Sequence, residues 1–226
     1  MNKPTFKNLS EGVNPVEIDG RVYNASPKGP GNFHTLREAN YGKGFVQGTF
    51  GNQLVLVHGA YLNQDNSDAR TIVETSKNHY ILGNTAINYA PQLVIVQDMP
   101  EVRDGRIVMD EKSLTAKLSK NAKNGVRFSD DESIRALSYG FETGWQTTDQ
   151  IRINPFSIAL TGNVNAPEML AEIQDKISKK GYIWALGQGT NNEIRVPGLN
   201  EDVDSLDLDG DWDGFGDDRS SFGVRQ

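Results

Sequence analysis

The sequence predicts a single-domain α+β fold, and three observations carry the prediction. Its 226 residues suit one domain of ordinary to large size. Segments with helical spacing are mixed with short extended segments, joined by long connections, with no regular strand–helix–strand rhythm and no internal repeat. Hydrophobic residues at 36%, together with 23 glycines, allow a real but lean core in a loop-rich fold.

Residues 1–33 read as irregular with extended pieces. In "NPVEIDGRVYNA", Val16, Ile18, Val22 and Tyr23 flank an Asp19-Gly20 turn, a hairpin signal. "SPKGPGN" (residues 26–32) reads as a loop. In "TFGNQLVLVHGAYL", Thr49 suits an N-cap, and Phe50, Leu54, Val57 and Tyr61 recur at helical spacing. Residues 63–66 break that helix, and Ser67 then caps a second over residues 68–77, with Ala69, Ile72 and Val73 inward. "LVIVQD" (residues 93–98) is a strong strand candidate, stopped by Pro100. "RIVMD" reads as a short strand, and Asp110 starts a helix carrying Leu114 and Leu118.

"FSIALTG" (residues 156–162) reads as a further strand. "APEMLAEIQDKISKKG" is the clearest helix, with Pro167 and Glu168 in its first turn and Met169, Leu170, Ile173 and Ile177 as its buried stripe. Lys179 and Lys180 suit its C-terminal dipole, and Gly181 suits the stop. "YIWALG" then reads as a strand.

Composition narrows the function classes. No run reaches the eighteen or so apolar residues of a membrane span. The opening "MNKPTFKNLSEG" lacks the apolar stretch of a signal peptide, so a cytoplasmic or virion-associated location is expected. Without cysteine there are no disulfides, no thiolate catalysis and no Cys-ligated zinc. His34, His58 and His79 belong to no metal signature, and no phosphate-cradling glycine loop or nucleophile elbow occurs. Asp130-Asp131 in "RFSDDESIR" reads as a solvated turn rather than an acid/base pair. A non-enzymatic protein without a cofactor is expected.

The formal charge of -7 is concentrated at one end. Residues 201–226 carry nine acids against Arg219 and Arg225, while the rest of the chain balances. No basic stripe suits phosphates, so nucleic acid is not an expected partner. The closing "SLDLDGDWDGFGDDRSSFGVRQ" has three readings. Asp209, Asp211, Asp213 and Asp217 follow the start of a calcium loop, but a twelfth position counted from Asp209 is Ser220, not a bidentate Glu. A disordered acidic tail is the second reading, opposed by Trp212, Phe215, Phe222 and Val224.

The third reading comes from resemblance. "DGDWDGFGDDRSSFGVR" resembles the end of the C-type-lectin-like variable proteins of diversity-generating retroelements, related in fold to the formylglycine-generating enzymes. "SFGVR" is similar to their last strand, and "GKGFVQGTFGNQLVLVHGAYL" to their first helix. "NPFSIALTG" and "YIWALG" resemble further strands. The resemblance implies a C-type-lectin-like fold with two main helices, short antiparallel strands and long loops. It covers residues 33–226, after an N-terminal extension or hairpin at 1–32, and its variable region spans about 190–226.

Those retroelements mutate adenines, and Asp is one change from Asn. The alternation of Asp with Leu, Gly and Trp is therefore what such replacement would leave. The resemblance implies a non-catalytic target-recognition protein of a phage, an archaeal virus or a microbial cassette. Its ligand-facing residues would be Asp207, Asp209, Asp211, Asp213, Asp217, Asp218 and Ser220, anchored by Trp212, Phe215 and Phe222. Bunched carboxylates would favour a basic protein or other macromolecule, bound with strong salt dependence. Calcium-dependent sugar binding and cysteine oxidation do not carry over, since the chain has no Cys and neither an EPN nor a QPD triplet. The alternative is a calcium-binding structural or interaction module using the DxDxDGxGD segment.

Overall fold

A computed structural model describes residues 4, 6–8, 14–188 and 192–226. β1 (Phe6–Asn8) pairs with β2 (Pro15–Ile18), which turns at Asp19-Gly20 into β3 (Arg21–Gly31). Both turn residues have positive φ, 50° and 80°, as a two-residue hairpin turn of the primed type requires. β3 continues through residues 26–31, where the sequence reads a loop. Pro27 and Pro30 cannot donate to a ladder, but the pairing of β3 with the last strand is broken by two register shifts that accommodate them.

After α1 (Phe33–Glu38) and β4 (Phe45–Gln47) comes α2 (Phe50–Leu62). Thr49 caps it as expected, in a reciprocal capping box with Asn52. Phe50, Leu54, Val57 and Tyr61 are all buried. In α3 (Ser67–Asn78) the cap is Asn66 rather than Ser67, because its carboxamide oxygen reaches the amides of Asp68 and Ala69. β5 (Tyr80–Leu82), β6 (Thr85–Tyr89) and β7 (Leu93–Asp98) follow, then a separate small hairpin of β8 (Glu101–Arg103) and β9 (Arg106–Val108). Asp110 caps the short α4 (Glu111–Thr115), while Leu118 opens β10 (Leu118–Lys123) instead of extending that helix.

β11 (Val126–Ser129) and β12 (Ile134–Ser138) flank the Asp130-Asp131 turn. There Asp131 accepts hydrogen bonds from both serine hydroxyls, Ser129 and Ser133, which hold its carboxyl down at about 2. Next come β13 (Gly144–Gln146), α5 (Thr148–Ile153) and α6 (Pro155–Thr161). α6 corrects the strand expected at residues 156–162. Asn154 caps it, Pro155 occupies its first turn, and Gly162 ends it in the left-handed region at φ 69°. α7 (Ala166–Ile177) is the expected amphipathic helix, but it stops at Ser178, left-handed at φ 56°. Gly181, expected as the stop, lies in β14 (Lys180–Trp184), and Lys179 reaches across to Glu201 at 2.8 Å. β15 (Glu193–Glu201), β16 (Ser205–Trp212) and β17 (Arg219–Arg225) complete the chain.

The main sheet runs β1-β2-β3-β17-β5-β15-β6-β7-β12-β11-β10, with β16, β14 and β13 branching from β15 and β4 joining β17. Most pairs are antiparallel, but β14 with β16 and β17 with β5 run parallel. The three longest helices, α2, α3 and α7, have 13, 12 and 12 residues. One core cluster joins Leu54 and Val57 of α2 and Leu170 and Ile173 of α7 to Ile183, Leu199, Leu206, Leu208 and Phe222. The acidic C-terminal stretch is therefore built into the sheet. Among the described residues, no helix is long and apolar enough to cross a membrane.

Candidate functional site

The two faces of β16 separate its sequence by parity. Leu206 and Leu208 enter the core, each burial contributing about 1.5–3 kcal/mol. Asp207 and Asp209 take the opposite face, since side chains alternate along a strand. Gly210 is fixed by space: a Cβ there would lie 2.7 Å from Cζ of Phe156 and 3.0 Å from the carbonyl oxygen of Trp184.

The parallel register with β14 sets Tyr182 beside Asp207 and Trp184 beside Asp209. β13 places Trp145 beside Tyr182. The three rings form a row: Trp145 meets Tyr182 edge-on at 5.0 Å, and Tyr182 tilts against Trp184 at 4.4 Å. Trp145 and Trp184 remain 55% and 42% exposed. These aromatics were not singled out in the sequence, although Tyr182 and Trp184 alternate around the buried Ile183, a signal of a strand with one open face.

On the other flank, Arg219 of β17 lies between two rings, 4.4 Å from the Tyr80 centroid and 4.8 Å from that of Trp212. Its guanidinium also pairs with Asp218. Tyr80 donates to Asp207 at 3.2 Å, and Ser205 donates to the same carboxylate at 2.5 Å. Burial, followed by the charges of Asp207 and Asp209, raises the Tyr80 hydroxyl above its ordinary value.

These neighbours change the status of several expected contact residues. Asp207 and Asp209 are only 5% and 8% exposed, and Ser220 is buried between β3 and β5. Asp207 and Asp209 form the floor of the face, while Ser220 lies on the opposite side of the sheet, beside α3, and none of the three is displayed. Asp211 is half-buried, and Asp213, Asp217 and Asp218 are exposed. Phe222 is fully buried, and Trp212 packs partly against the Phe33, Leu36, Leu82 and Val196 cluster. Phe215 is not an anchor: it is 68% exposed at the rim of a shallow depression lined also by Arg195, Asp209, Asp211, Trp212 and Asp213.

Asp209 is the perturbed acid of this face. Burial first, then the neighbouring Asp211 carboxylate, push its pKa up to about 7, against the opposing pull of the Asp211 amide and of Arg219. The Asp211 amide donates to Asp209 at 2.9 Å, and the Phe215 amide to Asp213 at 3.1 Å. Asp209, Asp211, Asp213 and Asp217 thus sit along an extended strand and its following turn, with the Asp209 and Asp211 carboxylates against each other. Among the described residues, no three or more His, Cys, Asp or Glu side chains group to hold a metal ion.

A second depression, beside the N-terminus of α2, has Arg135 at its floor. That guanidinium is fully buried and already engaged, by Asp98 at 2.5 and 3.0 Å and by the α6 carbonyls of Ala159 and Leu160 at 2.8 and 3.1 Å. It is a helix-capping structural group rather than an available cation.

No family model and no curated protein matches the chain. A solved structure, described as the accommodation of massive sequence variation in Nanoarchaeota by the C-type lectin fold, is similar over 99% of each chain. Its TM-score is 0.56 at 14% identity. The chain has the C-type lectin fold.

Proposed function

We propose that this C-type lectin fold serves as a non-catalytic recognition module that binds a macromolecular target through the outer face of β14 and β16 and the turn leading to β17. The observation carrying this reading is the division of β16. Leu206, Leu208 and Gly210 are held by the core, while the other face carries acids and exposed aromatic rings. Side chains there can be exchanged without emptying the interior, and fold alone would not supply that argument. The similar structure described for massive sequence variation supports the same reading.

The burial pattern narrows the exchangeable set to Asp211, Asp213, Phe215, Asp217 and Asp218, because Asp207, Asp209 and Ser220 are enclosed. A retroelement origin, in which these codons descend from adenine-rich ones, accounts for the aspartates. It requires a near-copy of the segment encoding these residues and a reverse transcriptase nearby.

The test is a library randomised at those five positions and selected for binding to a panel of purified proteins. Folded, target-specific binders should emerge, with stabilities within about 0.5 kcal/mol of the parent. Failure to recover any binder from a well-folded library would overturn the recognition reading.

A further inference from the structure

Building on that recognition reading, we propose that the Trp145–Tyr182–Trp184 row, with the adjoining Asp209 and Asp211 carboxylates, seats a cationic side chain, lysine or arginine, of a protein partner. The register makes one continuous face of these groups, since Tyr182 stands beside Asp207 and Trp184 beside Asp209 on adjacent strands. Two large rings are left substantially exposed in a row, an arrangement that marks interaction surfaces. Ring faces attract cations, and Arg most often.

The chain already contains this chemistry. Arg219 is held between the Tyr80 and Trp212 rings with the Asp218 carboxylate beside it. Trp184, exposed, with the half-buried Asp211 beside it and the enclosed Asp209 beneath, offers the same ring-and-carboxylate combination.

Charge selects the occupant. Residues 201–226 hold the whole excess of negative charge, nine acids against two arginines. Of the local cations, Arg219 pairs with Asp218, and Arg195 pairs with Glu193. An acidic partner is repelled, and a neutral one leaves the carboxylates uncompensated.

The groups facing Asp209 are Asp207 and Asp211 on its own strand, Tyr80 and Arg219 on β5 and β17, Arg195 on β15 and Tyr89 on β6. Its raised pKa adds a second signature. An arriving cation favours the ionised form, so affinity rises as pH increases through about 7.

The experiment is panning of a random linear peptide library on the immobilised full chain, followed by titration of the enriched peptides. All three tryptophans of the chain, Trp145, Trp184 and Trp212, lie on or beside this face, so their emission reports occupancy directly. The expected peptides are rich in Lys or Arg. Their affinity should fall about fivefold or more in W184A, which leaves the net charge unchanged, and in the near-isosteric D211N. It should also fall several-fold between about 50 and 300 mM salt. Circular dichroism of both variants verifies the fold.

Basic peptides that bind W184A as well as the parent would overturn the proposal in favour of diffuse attraction. Enriched peptides that are neutral or acidic, yet lost in W184A, would overturn the cationic occupant and leave the recognition reading standing. An absence of W184A-sensitive peptides would count against both.

Discussion

Asp209→Asn is expected to stabilise the protein, and to do so only where the pH ionises the native carboxyl. Asp209 is 8% exposed, and its folded-state pKa stands at about 7 against an ordinary 3.8. The folded protein thus holds this proton more tightly than the unfolded chain. The carboxyl's support is complete below about pH 4 and is lost as pH rises through 7. A gap of about three pKa units corresponds to about 4 kcal/mol above pH 8, an upper bound because water and side-chain relaxation reduce it.

Asparagine retains an oxygen for the Asp211 amide and adds an N–H that can donate to the Asp211 carboxylate. Urea unfolding of parent and variant should give equal stabilities at pH 4 and an advantage of about 2–4 kcal/mol for the variant at pH 8. In thermal scans that is about 5–15 °C. A difference that does not grow between pH 4 and 8, or a destabilised variant at pH 8, would refute the claim of a strained buried acid.

Three further substitutions probe the frame. Gly210→Ala drives a methyl into Phe156 and the Trp184 carbonyl, and should cost about 1–3 kcal/mol in chemical denaturation. Arg135→Met strips Asp98 of its bidentate partner and frees two α6 carbonyls, so a loss of about 3–5 kcal/mol is expected in the same assay. Thr49→Ala removes half of the capping box on α2, and a melting scan should register about 1 kcal/mol.

Legibility in the sequence followed how local each determinant was. α2, α7 and β7 announced themselves because their apolar spacing, and for α2 its capping box, is local to the segment. "FSIALTG" did not, since a seven-residue apolar run suits a buried strand or a buried helix equally; Asn154 and Pro155 just upstream decide it. β3 was hidden by its two prolines, whose missing donors are excused by bulges opposite a strand some 190 residues away.

The alternation of Asp with Leu in β16 correctly separated two faces. Burial of Asp207 and Asp209 depends on Tyr80, Trp184 and Arg219 arriving from three other strands, which no local pattern encodes. Phe215 shows the converse: an aromatic in a glycine-rich turn reads as an anchor, yet here the turn projects it outward.

Central to this account is a division of the last two strands into a fixed frame and replaceable positions. A saturation scan of residues 205–226, sorted for folding by resistance to protease on a display surface, measures that division directly. It should find Leu206, Leu208, Gly210 and Phe222 intolerant of nearly every exchange, and Asp211, Asp213, Phe215, Asp217 and Asp218 open to most. Tolerance spread evenly over both groups, or intolerance at the exposed five, would contradict the account.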